Sequence, residues 1–114
     1  MAQAPQGDDL VIGLNTNGRL LAVARQLGGK TYAQFNRFRG SFADQLYDVM
    51  VQARRIKIDL TGVDLSRIND KLNKAGIPTA GYTNYELWVI KNTPAFSAKA
   101  EYYENGVVLQ KAPF

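Results

Sequence analysis

The chain has 114 residues, 46% apolar and 21% charged, with a formal net charge of +4 and a pI near 9.5. It contains no histidine and no cysteine. That excludes disulfide scaffolds, thiol proteases, Ser-His-Asp hydrolases and the usual zinc enzymes, whose ligands or bases are missing. Any chemistry must therefore run on lysine, arginine, tyrosine, hydroxyl, amide and carboxylate groups. A basic balance favours anionic partners, nucleic acid first and acidic protein second.

The length suits one domain. Residues 1–12 read as a flexible lead-in and 13–114 as the domain, because Met1 to Asp9 is polar, holds Pro5 and Gly7 and shows no periodicity. No apolar run approaches the roughly 20 residues of a membrane span, and no signal-peptide pattern opens the chain. Leu20, Val23, Ala24 and Leu27 fall on one helical face, with Asn17 as a cap and Gly28-Gly29 as the stop. Lys30 to Phe35 alternates as a short strand or extended loop, followed by the basic-aromatic loop Asn36 to Gly40.

Ser41 caps a predicted helix over Phe42 to Arg54, with Asp44 in its first turn. Arg55 to Leu60 alternates as a strand with Ile56, Ile58 and Leu60 on one face. A further helix is predicted over Asp64 to Lys74 from the phase of Leu65, Ile68 and Leu72, with Gly76 as its stop. Thr83 and Glu86 are spaced as a capping box opening another helix, which Asn92-Thr93-Pro94 ends. Ser97 to Glu104 and Val107 to Gln110 flank Asn105-Gly106, a strong hairpin signal. The order predicts an α+β domain.

Metal-free RNA cleavage fits the available groups: the 2′-hydroxyl must be activated, charge on the phosphorane stabilised and the 5′-oxygen protonated. Lys30, Thr31 and Tyr32 follow a double glycine where a phosphate could approach closely, or Lys30 simply partners a helix end. Arg37-Phe38-Arg39 has the interleaving used to grip single-stranded nucleic acid, or Phe38 tucks into the core. Arg54, Arg55 and Lys57 make a basic junction or a solvated face. Lys99, Glu101 and Tyr103 share one strand face, as a catalytic row or as an ordinary charge pair beside an aromatic. Thr83 could meet phosphate at a helix start or merely cap it. Ten scattered acidic residues give no metal-binding cluster, and no phosphate-cradling glycine motif is present.

Gly28 to Tyr32, Asp59-Leu-Thr-Gly62, Thr83 to Trp88 with Ile90 and Asn92, and Tyr102 to Gly106 together resemble C-terminal toxin domains of contact-dependent growth inhibition and related polymorphic toxin proteins. The likeness covers about Gly13 to Gly106. It implies a ribonuclease of the barnase/EndoU/colicin/RelE type, with helices packed on a small twisted antiparallel sheet ending in a hairpin. It also implies tRNA as substrate, no cofactor or metal, delivery on a larger secreted or surface protein into a target-cell cytoplasm, and a bound immunity protein, acidic by charge complementarity. Lys30, Thr31, Lys99 and Tyr103 are the expected catalytic set, and Arg37, Arg39, Arg55 and Thr83 the expected RNA contacts. Many members use a histidine that this chain lacks, and relatives often carry a hydroxyl residue where Ala100 stands. Two rival readings are a toxin acting on NAD, with Glu86 or Glu101 as key carboxylate, and a non-enzymatic basic binding module.

Overall fold

The computed structural model describes residues 7–114, which form a mixed α+β domain built on one four-stranded sheet. The strands are β1 (Leu10–Ile12), β2 (Ile56–Asp59), β3 (Ala100–Glu104) and β4 (Val107–Val108), in that spatial order. Both β1–β2 and β2–β3 are parallel, and only the β3–β4 hairpin is antiparallel. The expected antiparallel sheet is thus corrected. Helical crossovers, not hairpins, join the first three strands, and parallel pairing requires such long connections.

The helices are interleaved with the strands: α1 (Arg19–Leu27) and α2 (Phe42–Gln52) precede β2, while α3 (Tyr82–Lys91) and the single turn α4 (Pro94–Ser97) precede β3. Alternation along each strand sorts them onto two faces. Leu10, Ile12, Ile56, Ile58 and Tyr102 join Leu46, Val49 and Met50 of α2 and Leu87 and Ile90 of α3 in the main core. Val11 points the other way, into a smaller cluster with Val23 and Ala24 of α1.

Residues 10–12 therefore belong to the core and not to a lead-in. All three are buried, and sheet on one side with helices on both faces leaves β1 no polar alternation. Of the polar stretch before it, residues 1–6 lie outside the described residues, whereas Asp9 is buried. Its carboxylate meets Arg54 Nε at 3.1 Å and Lys57 Nζ at 2.9 Å. Burial opposes ionisation there, but hydrogen bonds and charge from Lys57 and Arg54 prevail and hold its pKa below the ordinary value.

The segment expected to be a helix over Asp64 to Lys74 is instead a 3₁₀ turn, Leu65–Arg67, followed by a loop with a Leu72–Pro78 bridge. Its side chains explain this. Asp64 Oδ1 accepts from Ser66 N–H, Asn69 Oδ1 from Lys71 N–H, and Asn73 Oδ1 from both Ala75 and Ile77 N–H. Short polar side chains that bind the backbone locally compete with the helical ladder.

Gly28 ends α1 in the left-handed conformation (φ 76°), as expected of a helix stop. Gly29 serves another need. A Cβ built there would lie 2.7 Å from Asp9 O and 2.8 Å from Val11 Cγ2, because residue 30 bridges alongside β1. Gly29→Ala is expected to cost about 1–3 kcal/mol by overpacking, read as a lower urea midpoint with unchanged slope.

The Asn105-Gly106 turn is as expected. Both residues have positive φ (51° and 80°), the pattern of a two-residue hairpin turn. Thr61 Oγ1 accepts from Asn105 N–H at 2.9 Å and ties the turn to the end of β2.

Candidate functional site

An open cleft of about 970 Å³ lies beyond the carboxyl end of β1. In parallel sheets this is the end where ligands collect. Gly13, Leu14 and Asn15, which follow the strand, line the cleft together with Leu20 and Leu21 of α1. The 3₁₀ turn Tyr32–Gln34 and Arg37 also line it. Both α2 and α3 begin at the cleft, bringing Phe42 and Gln45 from one and Tyr82, Thr83 and Glu86 from the other. Two positive helix ends and a guanidinium converge there.

Glu86 stands out among these groups. It is 7% exposed, and burial pushes its carboxyl pKa up to about 8. No hydrogen bond to it is found among the described residues, and the residue lines the cleft. The capping-box expectation is corrected here. The helix begins two residues earlier, after Gly81 (φ 100°), so Thr83 lies inside it. Thr83 Oγ1 instead donates to Gly13 O at 3.0 Å, locking α3 to the end of β1. Asn84 adds a second irregularity: its Nδ2 donates to Ala80 O, while its buried Oδ1 has no partner among the described residues. Local rules are broken on this turn of helix, as is common at functional sites.

An aromatic wall completes the cleft. Tyr32 and Phe42 meet edge to face with ring centres 5.6 Å apart, and Phe42 meets Tyr82 in the same way at 5.0 Å. Tyr82 is half exposed and offers a face to a planar ligand. Arg37 lies over the Tyr32 ring at 4.8 Å, a cation–π contact that leaves its nitrogens accessible.

Family models, curated proteins and solved structures contain no match to this chain.

Of the residues singled out from the sequence, Thr31, Tyr32, Arg37, Thr83 and Glu86 line this cleft. The others lie outside its lining. Lys30 pairs with Asp8 at 2.8 Å on the surface, its own backbone bridged to Leu10. Lys99 Nζ donates to Ala53 O at 2.6 Å and caps the carbonyl end of α2, where burial lowers its pKa. Glu101 and Tyr103 do share a face, and the Tyr103 hydroxyl donates to Glu101 Oε1 at 3.1 Å. Burial, then that contact, raises the Tyr103 pKa, which disfavours the phenolate. Arg55 pairs with Glu101 at 3.3 Å on the same side. Arg39 is exposed in the loop beside Arg37.

The row Lys99, Glu101 and Tyr103 is thus split, because residue 99 precedes the strand and turns to α2. Glu86 was legible as a carboxylate of interest. Its spacing from Thr83 suggested a cap, which hid its burial. Among the described residues no group of acidic side chains is placed to hold a metal ion, and no helix is long and apolar enough to cross a membrane.

Proposed function

We propose that the chain is a metal-independent ribonuclease, a toxin domain whose active site is the cleft between β1, α2 and α3. One observation carries the reading: a buried carboxyl with a pKa near the working pH shares a cleft with a guanidinium and a row of aromatic rings. A general base is most effective when its pKa lies close to ambient pH. Ionised Glu86 takes the proton of a 2′-hydroxyl, and the 2′-oxygen attacks phosphorus. The bond to the 5′-oxygen breaks, and that oxygen leaves with a proton from water at the open mouth. A 2′,3′-cyclic phosphate remains.

Arg37 and the positive ends of α2 and α3 offset the charge that builds on the phosphorane. Tyr82 and Tyr32 provide stacking faces for unpaired bases. Thr31 and Thr83 belong to the same cleft as positioning groups, and Arg39 extends the cationic rim. Lys30, Lys99 and Tyr103 hold the fold in this reading, and Arg55 is a peripheral RNA contact at most. The toxin resemblance supplies tRNA as the substrate class and an acidic immunity protein as the partner, drawn by the +4 charge.

The test is incubation of the purified chain with total RNA and with tRNA in EDTA. Discrete fragments ending in 2′,3′-cyclic phosphate are expected. Their rate of formation should rise with pH and level off above about 8 as Glu86 ionises. Arg37→Ala should slow cleavage about a hundredfold, the scale of losing one charge stabiliser. Intact RNA after incubation with folded protein rejects the reading, and consumption of NAD in a parallel incubation replaces it with ADP-ribose chemistry.

A further inference from the structure

Arg37 sits in a loop with little else to hold it. From Asn36 to Gly40 every residue is exposed, between the buried Phe35 and the start of α2. Two hydrogen bonds from α2 fasten this stretch on either side of Arg37. Gln52 Nε2 donates to Asn36 O at 3.1 Å, and Gln45 Nε2 donates to Phe38 O at 2.8 Å. The two glutamines are seven residues apart, two helical turns, and so fall on one stripe of α2.

Each amide is itself oriented. The Tyr32 hydroxyl donates to Gln45 Oε1 at 2.8 Å, which fixes which end of that amide faces the loop. Gln52 Nε2 also donates to Asp48 Oδ2 at 2.7 Å, one turn back on the same stripe. Tyr32 is in turn the ring over which Arg37 lies. One ring therefore meets the guanidinium on its face and orients, through its hydroxyl, the amide that pins the loop.

We propose that Gln45 and Gln52 are positioning residues for Arg37, clamping the Asn36–Gly40 backbone from both sides so that the guanidinium is fixed at the cleft before any anion arrives. The value of this for RNA rests on the ribonuclease reading above; the clamp itself does not. A pre-positioned donor loses less freedom on binding than one on a free loop.

Gln45→Met and Gln52→Met keep length and helix propensity while removing both amides. Nitrogen-15 NMR of the arginine side chains reads the clamp without reference to activity. In the unaltered chain the Arg37 Nε–H should be shifted by the Tyr32 ring and show restricted motion. In the double variant both signatures should disappear while the thermal midpoint moves little. An unchanged Arg37 signal in the double variant overturns the proposal, whether or not the protein cleaves RNA.

Kinetics then read the consequence. kcat/KM for an RNA oligonucleotide should fall roughly fivefold to tenfold per lost hydrogen bond, and its dependence on salt should become shallower, as when a phosphate contact is lost. In an Arg37→Ala background the same two substitutions should change nothing further. A full, additive loss in that background means the glutamines act through another route and also overturns the proposal. If the unaltered chain leaves RNA intact, the ribonuclease reading fails, and the NMR comparison alone decides the clamp.

Discussion

Glu86→Gln is expected to abolish RNA cleavage and to make the protein more stable. These opposite signs follow from one property. The carboxyl titrates near 4.5 when unfolded and about 8 when folded, so the native state prefers the protonated form. Its contribution is fully present below pH 4.5 and is lost progressively as pH rises from there through 8. At pH 7 the unfolded state has gained ionisation over about 2.5 pH units that the folded state has not. At about 1.4 kcal/mol per unit, this is a penalty of at most about 3 to 4 kcal/mol. Glutamine keeps the shape and cannot ionise, so it removes the penalty. Urea unfolding at pH 4, 7 and 9 should show the variant matching the unaltered chain at pH 4 and exceeding it at pH 7 and 9. Cleavage should fall by about 10²- to 10⁴-fold, the scale of losing a general base. A variant less stable at pH 7 would mean that Glu86 is ionised and structurally bonded, and its role as base would fall with that result.

Asp9→Ala is expected to cost about 3 kcal/mol or more at neutral pH. The Lys57 ammonium is largely enclosed, with Asp9 on one side and the Leu27 carbonyl, 2.7 Å away, on the other. Removing the carboxylate leaves a buried cation without its counter-charge, which is far costlier than losing a surface pair. Arg54, which is mostly exposed, loses less. The pH dependence runs opposite to that of Glu86. A depressed carboxylate pKa stabilises the fold above the unfolded value of 3.8, and the gain disappears as pH falls through the folded pKa. The two groups together place greatest stability at about pH 4 to 5, below neutrality. Chemical denaturation across pH 2 to 9 would read both limbs, and the variant should show a shallower acid limb, because Asp64 also has a lowered pKa. A loss under about 1 kcal/mol would mean that water replaces the carboxylate beside Lys57, and the cluster would be incidental to stability.

Much of this fold was legible because several elements carry their own signals. Val23, Ala24 and Leu27 with a double glycine specify α1. Ser41 accepts from Asp44 N–H at 3.2 Å, as its spacing implies. Asn105-Gly106 dictates the hairpin whatever surrounds it. Three features were not legible, each for a physical reason. Strand β1 has only Leu10, Val11 and Ile12, too few for periodicity, and its partner lies 46 residues on, at Ile56. The stretch after Asp64 has helical phase, yet Leu65 and Leu72 remain exposed, so no core burial offset its Asn and Asp turns. The cleft gathers residues from the segment after β1, the 3₁₀ turn Tyr32–Gln34, α1, α2 and α3, a convergence that only long-range packing creates. Thr31, Arg37 and Thr83 could be singled out by chemistry. Lys99 could not be separated from a catalytic lysine, because its partner is a backbone carbonyl at the end of α2, which has no signature in sequence.

The position of β2 bears on how the chain acquires its structure. Its residues pair with β1 from one side and with β3, 44 residues further on, from the other, as in Ile56 with Ala100. Neither pairing can be approached through a tight turn, so loop closure is costly at both. Folding should accordingly be slower than for a helical protein of this size, in milliseconds to seconds. During synthesis the central strand waits for its last neighbour until residues near 104 have emerged. Helix α3, which carries Glu86, is made before that moment but has no completed sheet to pack on. All the residues that line the cleft, within 13–86, are thus made before the sheet that supports α3 is complete.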